Sequence, residues 1–374
     1  MAKQIGPVPQ SLTGRQTPGK VSEIMMERPR FLKGWTDAEP GPAHPLRGLV
    51  LLVILLGLLF VGLQGWWLLT PAPAIASSKR VVEIPLHLGL LDIAKRLDAA
   101  GVIRSPMGFT LLAVVRGSAR SLKAGEYEMP AGATTIDVLN LLEGGRVLQH
   151  AVLLREGKTL SELAKEIEAE GLVPADELVR VGRDPLFLRA LDIPASSVEG
   201  YLFPDTYQLV KGMTAEEILT KMIARMRERL TPDLVAAAEA RGLSIHELLT
   251  LASIIEREAI VPSELPLISA VFWNRLKIDM PLQADPTVQY AVGKGRQALT
   301  RADLQVDHPY NTYRRVGLPP GPIGNPGLPA IMAAVHPATV KYLYFVALDD
   351  RRHQFSQTLA DHNEAVARYR LRPR

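Results

Sequence analysis

The side chain with the clearest chemical potential is a glutamate near the end of an apolar helix. The stretch Leu248–Ile260, LLTLASIIEREAI, is almost entirely apolar until Glu256. At about 100° per residue, Leu249, Ser253, Glu256 and Ile260 fall on one face. A carboxyl held among such neighbours loses hydration, which favours its neutral form and raises its pKa. An acid that keeps its proton near neutral pH can protonate a glycosidic oxygen. The plainer alternative is a solvated glutamate at a helix terminus. Glu258, on another face, reads as a cap or ion-pair partner. Hydrolytic glycosidases use two carboxyls flanking the scissile bond, and Glu199, Asp205 and Asp285 are candidates for the second. In the one-acid alternative, the sugar's own hydroxyl attacks and a single glutamate serves first as acid and then as base. Spacing alone leaves both open.

Other chemistries drop out. The chain has no cysteine, so disulfides, thiolate catalysis and cysteine-based zinc sites are excluded. There is no nucleophile elbow and no phosphate-binding P-loop. Gly293 and Gly295 begin a G-x-G, but Ala298 breaks it. His246-Glu247 opens like a zinc-protease motif, yet Thr250 stands where the second histidine belongs. The eight histidines are scattered, and neither a metal nor a cofactor is expected. A net charge of +4 is too mild for a nucleic-acid partner and suits an anionic membrane or wall polymer.

The elements that must position Glu256 begin with an anchor. Gly48–Leu69 carries no charge and only one strongly polar residue, Gln64. About 20 such residues cross a bilayer core of roughly 30 Å. Trp66 and Trp67 sit where an interfacial aromatic belt belongs. Lys3, Arg15, Lys20, Arg28, Arg30, Lys33 and Arg47 precede the segment, and no charge follows it until Lys79. The positive-inside rule then predicts a single-pass protein of the cytoplasmic membrane with its N-terminus in the cytoplasm. The rival is a signal peptide cut at Ala74-Ile75-Ala76. The apolar run is long for that, and a 47-residue arm precedes it.

The expected organisation is a disordered arm at 1–47, the membrane helix at 48–69, a Pro/Ala/Ser linker at 70–79, one folded unit at 80–150 and a second at 151–374. An internal echo marks the folded part. IPLHLGLLDIAKRLDAAGVI from Ile84 parallels LREGKTLSELAKEIEAEGLV from Leu154, with a looser copy from Met129. Each reads as a short strand, a turn and an amphipathic helix closed by glycine. Such units suit a LysM-like, sugar-binding module, or simply a repeated packing unit. Glu199–Tyr207 reads as a turn between two strand-like pieces. Helices are predicted over 215–230, 232–241, 244–258, 263–276 and 358–370, with Ser244 and Glu247 as a capping box. Lys341–Leu348 is the clearest strand. The fold class is α+β.

Seven blocks in order then become recognisable: EGYLFPDTY (199–207), LASIIEREA (251–259), FWNRL (272–276), LQADPTVQYA (282–291), YNTY (310–313), GLPPGPIGNPG (317–327) and YLYFVA (342–347). Together they resemble the endolytic murein transglycosylases of the YceG-like family over roughly residues 80–370. The resemblance implies a carbon–oxygen lyase that cuts nascent peptidoglycan strands between N-acetylmuramic acid and N-acetylglucosamine. It leaves 1,6-anhydro-muramoyl ends, terminates glycan elongation and works alongside wall synthases. It implies a LysM-like subdomain followed by a mixed α+β catalytic domain, and it places the catalytic role on Glu256. Glu199, Tyr201, Asp205, Tyr207, Ser253, Gln283, Asp285, Tyr310, Asn311 and Tyr313 match as substrate-binding cleft walls. A two-carboxylate hydrolase and a non-catalytic wall-binding scaffold are the alternatives.

Overall fold

The computed structural model describes residues 45–85, 87–348 and 352–370. The expected N-terminal arm lies outside them except for its last three residues. The chain divides at Gly62 into two compact units. Helix α1, Pro45–Leu69, passes from the first into the second. Its apolar side chains from Leu46 to Val61 are exposed, and none of the candidate span is buried within the protein. A helix that is apolar all round and unburied fits lipid and not a core.

The second unit is mixed α+β and holds two hydrophobic cores. The first gathers β1 (Arg80–Ile84), α2 (Leu90–Ala99), α3 (Pro106–Val115), β2 (Gly125–Met129) and α4 (Thr135–Gly144). β1 and β2 pair antiparallel, setting Val82 opposite Tyr127. The stretch expected as a linker behaves differently: Ala72 and Ile75 are buried in this core, and the Ile75 carbonyl accepts the Gly132 amide at 2.7 Å. Pro71–Ser78 is thus a packed strap, because Ala72 and Ile75 gain more from burial than from water.

The larger core spans β3 (Gln149–Leu153), α5 (Leu160–Ala169), α6 (Ala175–Val181), α7 (Pro185–Ala190), β4 (Thr206–Val210), α8 (Ala215–Arg229), α9 (Pro232–Glu239), α10 (Ile245–Glu258), α11 (Leu265–Leu276), α12 (Asp285–Ala291) and α13 (Leu328–Val335). β5 (Tyr344–Ala347) and β6 (His353–Ser356) form a hairpin-like pair beside α14 (Leu359–Arg370). β3 pairs with β4, so the second echo unit leaves the sheet of the first and joins the strand that follows Asp205. Only that one strand forms around Glu199–Tyr207, since Gly200–Asp205 is irregular.

Local signals explain the helix starts. Thr159 with Glu162, Thr214 with Glu217 and Ser244 with Glu247 make reciprocal capping boxes, each stabilising its helix by about 1 kcal/mol. α10 is the central element. Leu248 through Ile255 are all buried, and the helix packs on α11 and α13. It stops at Glu258: Ala259 turns extended, and Ile260 leaves the helical face assigned to it and is exposed. Pro262 follows closely, and proline disfavours helical backbone in the residue before it.

Candidate active site

The last turn of α10 presents Glu256, Arg257 and Glu258 in three directions. Glu256 is half-buried, and its Oε2 accepts the Gly327 amide at 3.0 Å. Burial is the main cause that raises its pKa above the usual carboxylate range. The Gly327 hydrogen bond works against it, the charge of Glu156 adds to it, and Arg296 lowers it. The arrangement offers a half-buried carboxyl whose proton affinity is raised above that of an ordinary glutamate.

The neighbours of Glu256 come from three loops. A Cβ placed on Gly157 would lie 3.5 Å from Glu256 Cγ, 3.4 Å from an Arg296 guanidinium nitrogen and 3.7 Å from Arg257 Cγ. A Cβ on Gly327 would overlap the carboxyl of Glu156. Two carboxyls and two arginines therefore crowd two glycines, whose missing side chains make the approach possible.

On the Arg257 side lies a cleft of about 560 Å³, lined among others by Arg183, Glu199, Arg257 and Tyr290. Glu199 is 6% exposed. It accepts the Leu160 amide at 3.0 Å and the Asn325 Nδ2 at 3.2 Å, and the Tyr290 hydroxyl bonds to it. Burial raises its pKa to about 8. On the Glu258 side a second cleft, of about 780 Å³, is lined by Glu258, Gln283, Asp285, Tyr313 and Tyr344 among others. The Tyr313 hydroxyl donates to Asp285 at 2.5 Å, and the Asp285 amide donates to Glu258. Burial and the Asp285 charge raise Glu258 to about 8. Gln283 has φ 49°, a left-handed conformation that turns the chain into α12.

The residues singled out by sequence thus fall into distinct groups. Gln283, Asp285 and Tyr313 share one cleft, and Glu199 lines the other. The rest make internal contacts. Tyr201 bonds His246 Nδ1 at 2.9 Å, Tyr207 donates to the Phe203 carbonyl, and Ser253 donates to Thr250 O at 2.8 Å while accepting the Ile323 amide at 3.0 Å. Asn311 donates to the Leu304 and Val306 carbonyls and shapes its own loop. Tyr310 packs on Tyr290, with ring centroids 5.0 Å apart. Asp205 pairs with Arg225 at 2.9 Å, away from both clefts. Sequence reasoning missed Glu156 and Asn325. Asn325 is fully buried; its Oδ1 accepts the Gly200 and Leu202 amides, and its Nδ2 donates to Lys158 O and Glu199. The available signal was Glu156-Gly157 at a strand-to-helix turn, a spacing too common to stand out.

A half-buried acid at the end of a buried helix, whose next two residues each line a polar cleft, is the framework of an acid–base enzyme. Residues 82–368 match the YceG-like family, and the chain belongs to it. It is 33% identical over 322 residues to the endolytic murein transglycosylase of Bacillus subtilis (strain 168), covering 82% of this chain and 89% of that protein. It is 32% identical over 331 residues to the endolytic murein transglycosylase of Streptococcus pneumoniae (strain D39), covering 79% of this chain and 60% of that longer protein. The crystal structure of a YceG-like protein from Listeria monocytogenes aligns with TM-score 0.54 at 36% identity, over 76% of this chain and 98% of that one.

Proposed function

We propose that this chain is an endolytic murein transglycosylase with Glu256 as its acid. The observation that carries the reading is the placement of Glu256, a half-buried carboxyl at the end of α10 that accepts the Gly327 amide and whose pKa is raised first by burial and further by the charge of Glu156. The acid gives its proton to the glycosidic oxygen as the C1–O bond breaks. The resulting carboxylate takes the proton from the muramoyl 6-hydroxyl as O6 bonds to C1. No water enters, and the product carries a 1,6-anhydro ring. Gln283, Asp285 and Tyr313 would bind sugar hydroxyls along one flank of the strand, with Tyr344 available for stacking. The β1–α2–α3–β2 order, two helices enclosed by an antiparallel strand pair, supports a LysM-like role for the first core. The apolar α1 and the basic residues before it support a single-pass anchor with the folded units outside the cytoplasm. Glycan termination and work beside wall synthases complete the reading.

Mass spectrometry of strands digested by the full chain tests it: anhydro-muramoyl ends are expected. Glu156, close enough to raise the proton affinity of Glu256, favours a second reading as a two-carboxylate hydrolase. Reducing ends in the same spectra would select that reading, and no new ends at all would leave only wall binding.

A further inference from the structure

Helix α3, PMGFTLLAVV, is apolar on both faces. Its inner face, Gly108, Phe109 and Ala113, is buried in the first core. Its outer face carries Met107, Leu111, Val114 and Val115, at helical spacings of four, three and one, and all are 56–75% exposed. A continuous apolar stripe of this kind is costly in water and marks a surface with a partner. The inner face alone satisfies the fold, so the outer stripe needs another explanation.

The contacts of α3 with the end of α1 indicate that partner. Ser105 Oγ, which caps α3, donates to Gln64 Oε1 at 2.8 Å. Gly108 lies so close that a Cβ there would meet Gln64 Oε1 at 3.0 Å and Leu68 Cδ2 at 3.4 Å. Arg104 Nε donates to the Pro71 carbonyl at 2.8 Å, just past the helix. Gln64 precedes Leu69 by five residues, about 7.5 Å along a helix. The touching point is thus in the final turn and a half of the span, at the depth of headgroups and upper acyl chains. Amphipathic helices that lie on membranes bury their apolar face about 5–10 Å into that zone. Arg104, Arg116 and Arg120 flank α3 and are exposed, as suits anionic headgroups.

We propose that α3 lies in the outer interface of the bilayer, with Met107, Leu111, Val114 and Val115 immersed in lipid, as a second membrane contact beside the span. This rests on the reading of α1 as a membrane anchor. It would seat the first core directly on the membrane surface, where newly made strands emerge.

The absence of native cysteine makes the test direct. Single cysteines at Leu111, Val115, Leu55 and Leu186 carry an environment-sensitive fluorophore in the full chain. The chain is reconstituted in phosphatidylethanolamine–phosphatidylglycerol vesicles containing acyl-chain doxyl lipid. Leu55 reports the span, and Leu186, 71% exposed on α7, reports water. The expected result is blue-shifted emission at 111 and 115, loss of signal to doxyl lipid and shielding from iodide, with the reverse at 186. Labels at 111 and 115 that behave like 186 while 55 is quenched by lipid would overturn the seating of α3 alone. Failure of lipid quenching at 55 would overturn the anchor reading instead. Shielding from iodide without doxyl quenching at 111 and 115 would identify a protein cover, such as a second copy, and also overturn it.

Discussion

The amide of Gly327 donates a 3.0 Å hydrogen bond to the carboxyl of Glu256, joining the start of α13 to the end of α10 across 71 residues. That bond fixes the direction of the carboxyl and works to lower its pKa, but burial and the Glu156 charge outweigh it, so the pKa stays raised. Orientation and the raised proton affinity are therefore set by different parts of the chain.

Glu256→Gln keeps an acceptor for Gly327 but has no proton to give. Turnover is expected to fall by about 10²–10⁴-fold, the usual contribution of a general acid. The unfolding temperature should stay close to wild type. Counting new strand ends per enzyme, beside a thermal melt, checks both.

Glu156→Gln removes a charge that raises the pKa of Glu256. The acid is active while protonated, so the rate falls as pH rises through its pKa. Removing the charge lowers that pKa and moves the high-pH limb of the kcat profile toward lower pH. A kcat profile that only scales down, with its limb unmoved, would show Glu156 to be structural.

Glu199 holds a proton to about pH 8 in the folded chain, against about 4.5 for an ordinary glutamate. Between those values the unfolded chain binds fewer protons, so this group makes stability fall as pH rises, by at most about 1.4 kcal/mol per pH unit. Below about 4.5 its contribution is flat. Glu199→Gln should flatten the decline in denaturant-unfolding free energy across that window.

Gly327→Ala places a methyl where the Glu156 carboxyl lies, although φ −76° suits alanine. The overlap falls on the far end of an exposed, flexible side chain that can turn away, so it should cost about 1 kcal/mol or less. Combining it with Glu156→Ala should recover much of that loss. A double-mutant cycle with no coupling would exclude the contact.

Features governed by neighbours in sequence were the legible ones. The capping box of Ser244 and Glu247, the apolar run to Ile255 and the strand around Tyr344 needed only local pattern. The helix end at Glu258 was legible, but Ile260, set on the apolar face by its spacing, lies beyond that end, where the backbone has already turned extended. The site itself depends on long-range closure. Nothing near Glu199 announces Asn325, which reaches it from 126 residues away. Likewise, the echo units from Ile84 and Leu154 look alike, but β1 pairs with β2 and β3 with β4. Strand partners are chosen by which core each helix can bury, and periodicity within one unit carries no information about that.

The buried strap after α1 bears on the life history of the molecule. Ala74-Ile75-Ala76 has the form of a processing site, yet Ile75 is fully buried and its carbonyl is engaged by Gly132. A peptidase needs that segment extended and free, so cutting there would compete with folding. A molecule that folds first would escape it, and one cut first would lack Ile75 and Ala72 to complete its core. Under the anchor reading proposed above, retention at the membrane would then be decided by timing, with the folded state acting as its own protection.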